Sequence, residues 1–131
     1  MQTVLIVDNS RFVTDLVQRW VKSIRRSASI VRARHGAEAL TIMSRVKVDL
    51  IIATVESPVD GVQLSEKVKK DHPEVVVILV SAKGEPKNHK ADAFVNKPVF
   101  KKELSATIIR LVPFVRPPAK GRKAKSKSSR A

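Results

Sequence analysis

The chain has 131 residues, with 26 Lys and Arg against 12 Asp and Glu, a formal charge of +14, 43% apolar residues and no cysteine. That length and apolar content suit one domain around a single core and exclude a wholly disordered basic protein. The missing cysteines exclude a disulfide scaffold, a thiolate zinc site and a thiol nucleophile.

In chain order, Val4, Leu5, Ile6 and Val7 form a short continuous apolar run, the pattern of a strand covered on both faces. Met1 leads straight into it with no basic-then-apolar leader, so a soluble, cytoplasmic protein is expected. Three- and four-residue spacing of Phe12, Val13, Leu16, Val17, Trp20, Val21 and Ile24 predicts a helix over 11–26, with Ser10 as its N-cap. Residues 29–33 read as a strand, and the Arg32 inside it suits a sheet edge. Gly36 opens a second helix through Ala39, Leu40, Met43 and Val46. Residues 50–53 repeat the buried-strand pattern, which breaks at the turn signals Ser57-Pro58 and Asp60-Gly61.

A third helix is predicted over 62–70, with Leu64 and Val68 inward and Pro73 barring its extension. Residues 75–80 are the strongest strand, rich in β-branched side chains, yet far short of the roughly twenty apolar residues that span a bilayer. Residues 93–95 make a last strand before Lys97-Pro98, and Leu104, Ile108, Leu111, Val112 and Val115 mark one face of a closing helix. Five strands interleaved with helices imply a parallel α/β sheet with right-handed crossovers.

After residue 115 the composition changes. Arg116, Lys120, Arg122, Lys123, Lys125, Lys127 and Arg130 share the stretch with prolines, Gly121 and serines, and no acid joins them. Such a segment cannot bury enough surface to offset its ordering entropy, so 1–115 is expected to fold and 116–131 to be a basic, flexible tail.

In an open parallel sheet, ligands bind beyond the carboxyl ends of the strands. The residues there are Asp8 and Asn9, Thr54 to Glu56, Ser81 and Lys97. Together with 48–53, Pro58, Asp60-Gly61, 77–82 and Asn96-Lys97-Pro98, they make residues 3–115 resemble the receiver domain of two-component response regulators. The resemblance implies a flavodoxin-like (CheY-like), doubly wound five-stranded sheet of order 2-1-3-4-5. It also implies an acidic pair after the first strand that binds Mg²⁺ and an Asp ending the third that accepts a phosphoryl group from a histidine kinase. A Ser or Thr and a Lys then grip the phosphoryl oxygens; Asp8, Ser81 and Lys97 match that pattern.

Other positions depart from it. Counting from Asp49 and from Pro58 puts Thr54 at the acceptor position, and Asn9 replaces the second acid. Phe94 stands where the family often has a switching Tyr, which with Ser81 makes it switch-like. The stretch between Ser81 and Lys97 is short and holds Gly84 and Pro86, so the fourth helix of the family is expected to be shortened or missing. Three carboxylates around one Lys would need a cation, because like charges ~4 Å apart repel by roughly 4 kcal/mol at an effective dielectric near 20. Asp8 and Lys97 alone sum to zero and can pair directly; Glu56 restores one charge at most, so Mg²⁺ binding is expected to be weak or absent and no cofactor is implied.

A hydroxyl needs a base before it can attack phosphorus. None is evident near Thr54: His35, His72 and His89 read as surface or loop residues, and Asp49 and Asp60 are poorly placed. Two functional readings follow. One is a pseudo-receiver, not an enzyme, that signals by phosphorylation-independent contact with a protein, using a face that includes Phe94, Val99 and Phe100. The other is non-specific nucleic-acid binding through the tail cations; without aromatics after Phe114 the tail cannot stack on bases. A phosphorelay receiver still phosphorylated is a further alternative. An enzyme of related topology finds no Gly-rich phosphate loop, nucleophile elbow or zinc spacing here.

Overall fold

A strand covered on both faces must send alternate side chains into two separate cores. The computed structural model describes residues 2–54, 58–82, 85, 87, 89–96 and 101–112, with 58–60 described by backbone alone, and it has that arrangement. The elements are β1 (Thr3–Val7), α1 (Arg11–Ile24), β2 (Ser29–Ala33), α2 (Gly36–Met43), β3 (Leu50–Thr54), α3 (Pro58–Asp71), β4 (Val76–Ser81), β5 (Ala93–Asn96) and α4 (Lys101–Leu111). All pairings are parallel in the order β2-β1-β3-β4-β5, the flavodoxin-like order that the resemblance implies. Val4, Ile6, Leu50, Ile52, Ile78 and Val80 pack against Val17 and Val21 of α1 and Leu104 and Ile108 of α4. Their neighbours Leu5, Val7, Ile51, Ala53, Val77 and Leu79 pack on the other face against Ala39 and Met43 of α2 and Leu64 and Val68 of α3. β2 is an edge, and its Arg32 reaches over to Asp15 of α1 at 2.6 Å.

Expectations for three helices change. In α1 the buried residues are Thr14, Val17 and Val21, whereas Phe12 is 75% exposed. Two residues before Thr14 is about 200° round the helix, so Phe12 points away from the sheet. Thr14 is tolerated inside because its hydroxyl donates to the Arg11 carbonyl at 3.0 Å. α2 stops at Met43, and Val46 is exposed rather than packed, because the chain tightens there with Ser44 N–H to Thr41 O at 3.2 Å and Arg45 N–H to Ile42 O at 2.9 Å. α3 starts at Pro58, earlier than predicted, and takes Asp60 and Gly61 into its first turn; a proline lacks only an N–H that the first turn would leave unpaired anyway.

The β4–β5 connection shows how the fold manages with a shortened or missing fourth helix, for no helix occurs there among the described residues. The connection is tied to α3 instead. The Lys90 amide donates to the buried Ser65 hydroxyl at 2.9 Å, and Lys69 Nζ reaches Asp92 Oδ2 at 2.9 Å. The same Asp92 oxygen accepts from the Val77 amide at 2.8 Å, clamping the connection to the start of β4. Asp92→Ala is therefore expected to cost about 1–3 kcal/mol, by leaving a part-buried donor unmet. Hydrogen exchange should rise at the Val77 and Lys90 amides, and unchanged protection would contradict this account.

The start of α2 is a reciprocal cap. His35 Nδ1 accepts from the Glu38 amide at 3.2 Å, and Glu38 Oε1 accepts from the Arg34 amide at 2.6 Å. That amide, helped by the charge of Arg34, holds the Glu38 carboxyl below its ordinary value. A carboxyl depressed in the folded state stabilises fully above the ordinary carboxylate range, and the contribution is lost as pH falls through the depressed value. A carbon-detected NMR titration should find Glu38 titrating below the ordinary glutamate range, and titration within that range would refute the cap. Among the described residues no helix is long and apolar enough to cross a membrane.

Candidate functional site

Register alone assembles the site. Val7 is level with Ala53, Thr54 with Val80, and Ser81 with Asn96. Asp8, one residue beyond Val7, therefore meets Thr54, one beyond Ala53, at the carboxyl edge of the sheet. Ser81 stands one residue further along the next strand. Asp8, Thr54 and Ser81 are 7%, 8% and 0% exposed, so all three polar groups are inside, whereas Asn9 is exposed.

Each buried group must be satisfied. Asp8 Oδ1 accepts from the Ser10 amide at 2.6 Å, and Oδ2 accepts from the Thr54 hydroxyl. The Val7 carbonyl lies 3.1 Å from the same Thr54 oxygen. A hydroxyl has one hydrogen, and the carboxylate is the stronger acceptor, so Thr54 acts chiefly as a neutral donor to Asp8. Ser10 also serves as the N-cap of α1, its side chain accepting from the Val13 amide at 3.3 Å. The strand end and the helix start are thus locked through one short loop.

This corrects one sequence expectation. A carboxylate, Asp8, does stand in hydrogen-bonding contact with Thr54, so a proton acceptor is present where none was evident. The signal that could have revealed it is the equal offset of Asp8 and Thr54 from their apolar runs. A carboxylate remains a weak base for an alcohol, since efficient proton transfer wants an acceptor whose pKa lies near the working pH. The contact reads chemically as mutual satisfaction of two buried groups.

Of the other expected residues, Phe94 is half-buried and packs against the core on the α2–α3 face of the sheet, so its ring helps finish that core. Glu56, Lys97, Val99, Phe100 and the tail cations Arg116, Lys120, Arg122, Lys123, Lys125, Lys127 and Arg130 lie outside the described residues. Among the large apolar side chains, sequence periodicity missed the exposure of Phe12, and Ile109 of α4 is also 51% exposed.

Known proteins bear on the arrangement in three ways. The family model for the response regulator receiver domain matches residues 4–109. Among curated proteins, the chain is 34% identical over 80 residues to a protein-glutamate methylesterase/protein-glutamine glutaminase of Geobacillus kaustophilus, covering 60% of this chain and 23% of that protein. It is 34% identical over 115 residues to the sensor kinase CckA of Brucella abortus, covering 81% of this chain and 12% of that protein. The chain thus spans under a quarter of the length of these relatives. Among solved structures, a CheY-like receiver domain protein of Methanospirillum hungatei superposes with a TM-score of 0.74 at 23% identity, covering 85% of this chain and 93% of that one. The response regulator TrrA of Thermotoga maritima, solved in complex with Mg²⁺ and BeF, gives 0.73 at 24% identity over 86% and 100%. These two likenesses bear on the fold, while the family match spans most of the chain and all five strands. The protein accordingly belongs to the response regulator receiver domain family, a signalling module of two-component systems.

Proposed function

We propose that this receiver is degenerate: it lacks the phospho-acceptor Asp, Thr54 stands in its place, and it signals by phosphorylation-independent contact with a cytoplasmic protein partner. The observation that carries the reading is the Thr54 hydroxyl donating to the buried Asp8 carboxylate at the end of β3. A group already used as a donor to its neighbour is not an ionised nucleophile. The pocket is also a poor fit for Mg²⁺. A hard dication wants several anionic oxygens, and here Asp8 already accepts from Ser10 and Thr54 while Asn9 supplies only a neutral amide. On this reading Ser81 and Lys97 take no part in phosphoryl transfer. The partner face takes in β5 and α4, where Ile109 is exposed, and Phe94, Val99 and Phe100 are the residues proposed to contact the partner.

Incubation of the full chain with acetyl phosphate and Mg²⁺ tests the proposal. No acid-stable, base-labile phosphate should appear by intact-mass measurement. One equivalent per chain would establish a working phosphorelay receiver instead.

The tail supports a second reading, non-specific nucleic-acid binding. What favours it is the charge pattern: seven Lys and Arg fall in 116–131 with no acid among them. Neutralising the seven tail cations with Gln should flatten a steep salt dependence of duplex DNA retention, while equal retention by both forms would remove the tail from consideration.

A further inference from the structure

Thr54 has a second environment. While its hydroxyl meets Asp8, the residue also forms part of the wall of an open cleft of ≈ 610 Å³ between the N-terminal end of α2 and α3. That volume is in the range of small-molecule sites. Val7, Leu40 and Leu64 give the cleft an apolar floor, and Arg34 and Lys67 stand at its rim. Among the described lining residues there is no Asp or Glu, and the other polar ones include the neutral Asn9. Glu38 of α2, its Oε1 3.6 Å from Arg34 Nε, shares the Arg34 charge in an exposed i,i+4 pair, so an anion in the cleft competes with that pair for Arg34 while Lys67 faces it from α3. The cleft is therefore cationic at its mouth and apolar inside.

We propose that this cleft binds a small phosphomonoester with a planar or apolar body, about the size of a mononucleotide. Two rim cations match the roughly two negative charges of a phosphomonoester at neutral pH better than the single charge of a carboxylate. Arg34 supplies the planar fork that suits phosphate oxygens, and Lys67 supplies a mobile point charge from the opposite wall. The positive end of α2 adds to this, because Gly36 and Ala37 line the same cleft. Gly36 leaves that backbone approachable: a methyl placed there would meet only Leu64 Cδ1, at 3.7 Å. The body of the ligand would lie on Val7, Leu40 and Leu64. The site adjoins the Asp8–Thr54 contact and shares Thr54 with it, but its cations are Arg34 and Lys67.

The test is a titration of the full-length, ¹⁵N-labelled protein with AMP, GMP and inorganic phosphate, followed at the amides of Asn9, Gly36, Ala37 and Lys67. Saturable shifts at these amides are expected with the nucleotides, and weaker binding with phosphate alone. Arg34→Gln and Lys67→Gln, both at exposed side chains, should each weaken nucleotide binding about ten-fold, the loss of one charge-assisted hydrogen bond. The tail cations are unchanged in both variants, so electrostatic binding there would survive them. Shifts confined to tail amides, undiminished affinity in both variants, or phosphate binding as tightly as nucleotide would each overturn the proposal.

Discussion

Replacing Thr54 by Asp is expected to lower stability at neutral pH by about 2–4 kcal/mol. The new carboxylate takes the place of a donor in contact with a carboxylate that is 7% exposed. At an effective dielectric near 20, like charges ~4 Å apart repel by roughly 4 kcal/mol, and the lost hydrogen bond adds to this while small shifts relieve part of it. Two carboxyls so placed cannot both ionise freely, so one is raised above its unfolded value. The penalty relative to the parent is then absent below the ordinary carboxylate range and grows as pH rises through the raised value. Mg²⁺ should restore about 1.4 kcal/mol at ten times its Kd in Thr54→Asp, and nothing in the parent. Thr54→Val separates the two causes: it removes the donor without adding charge, costs about 1–3 kcal/mol, and stays insensitive to Mg²⁺. Urea unfolding across pH, with and without Mg²⁺, measures all of this. A Thr54→Asp protein as stable as the parent at pH 7 would show that a cation or solvent offsets the new charge, and would contradict the repulsion on which the expected penalty rests.

Arg25→Ala is expected to have the other large effect. Arg25 is 7% exposed, and burial pushes its guanidinium below the ordinary value, as desolvation of a cation must. It donates to the Ile24 carbonyl at 3.2 Å and to the Val112 carbonyl, tying the ends of α1 and α4 together. Alanine would leave buried carbonyls without that donor and open a void, for a loss of about 3–5 kcal/mol. Arg25→Met, which fills the volume without the charge, should recover a good part of that loss, since a buried cation gives back much of its attraction as desolvation. Hydrogen exchange should show the loss as faster opening of α4 in Arg25→Ala than in the parent. If Met and Ala proved equally harmful, the hydrogen bonds and not the packing would be decisive; if both were harmless, α4 would be held by Leu104 and Ile108 alone.

Neither prediction could be made from the chain by inspection. Arg25 sits in an Arg25-Arg26 pair at a helix end, where both read as solvated surface, and only the closing of α4 against α1 buries one of them. Lys97, the partner expected for Asp8, lies outside the described residues, and Asp8 makes a further contact. Its contact with Thr54 comes from parallel pairing of β1 and β3 in one register, a relation between segments 46 residues apart. Phe12 fits a helical apolar pattern as well as Val13 does, and its exposure depends on which arc of α1 meets the sheet.

What could be read directly off the residues was whatever depends on short range: the buried strands from their unbroken apolar runs, the cap at Ser10, and the edge strand carrying Arg32. The placement of polar residues at strand ends also belongs here, because parallel topology makes those ends converge whatever the details of packing. The partner of each buried polar group, the clamp of α3 on the β4–β5 connection, and the cationic cleft beside Thr54 required the assembled sheet and helices. Those features are contacts between distant segments. A buried charge or hydroxyl takes whichever partner the register and the helix packing bring within reach, and no local pattern in the chain encodes that choice.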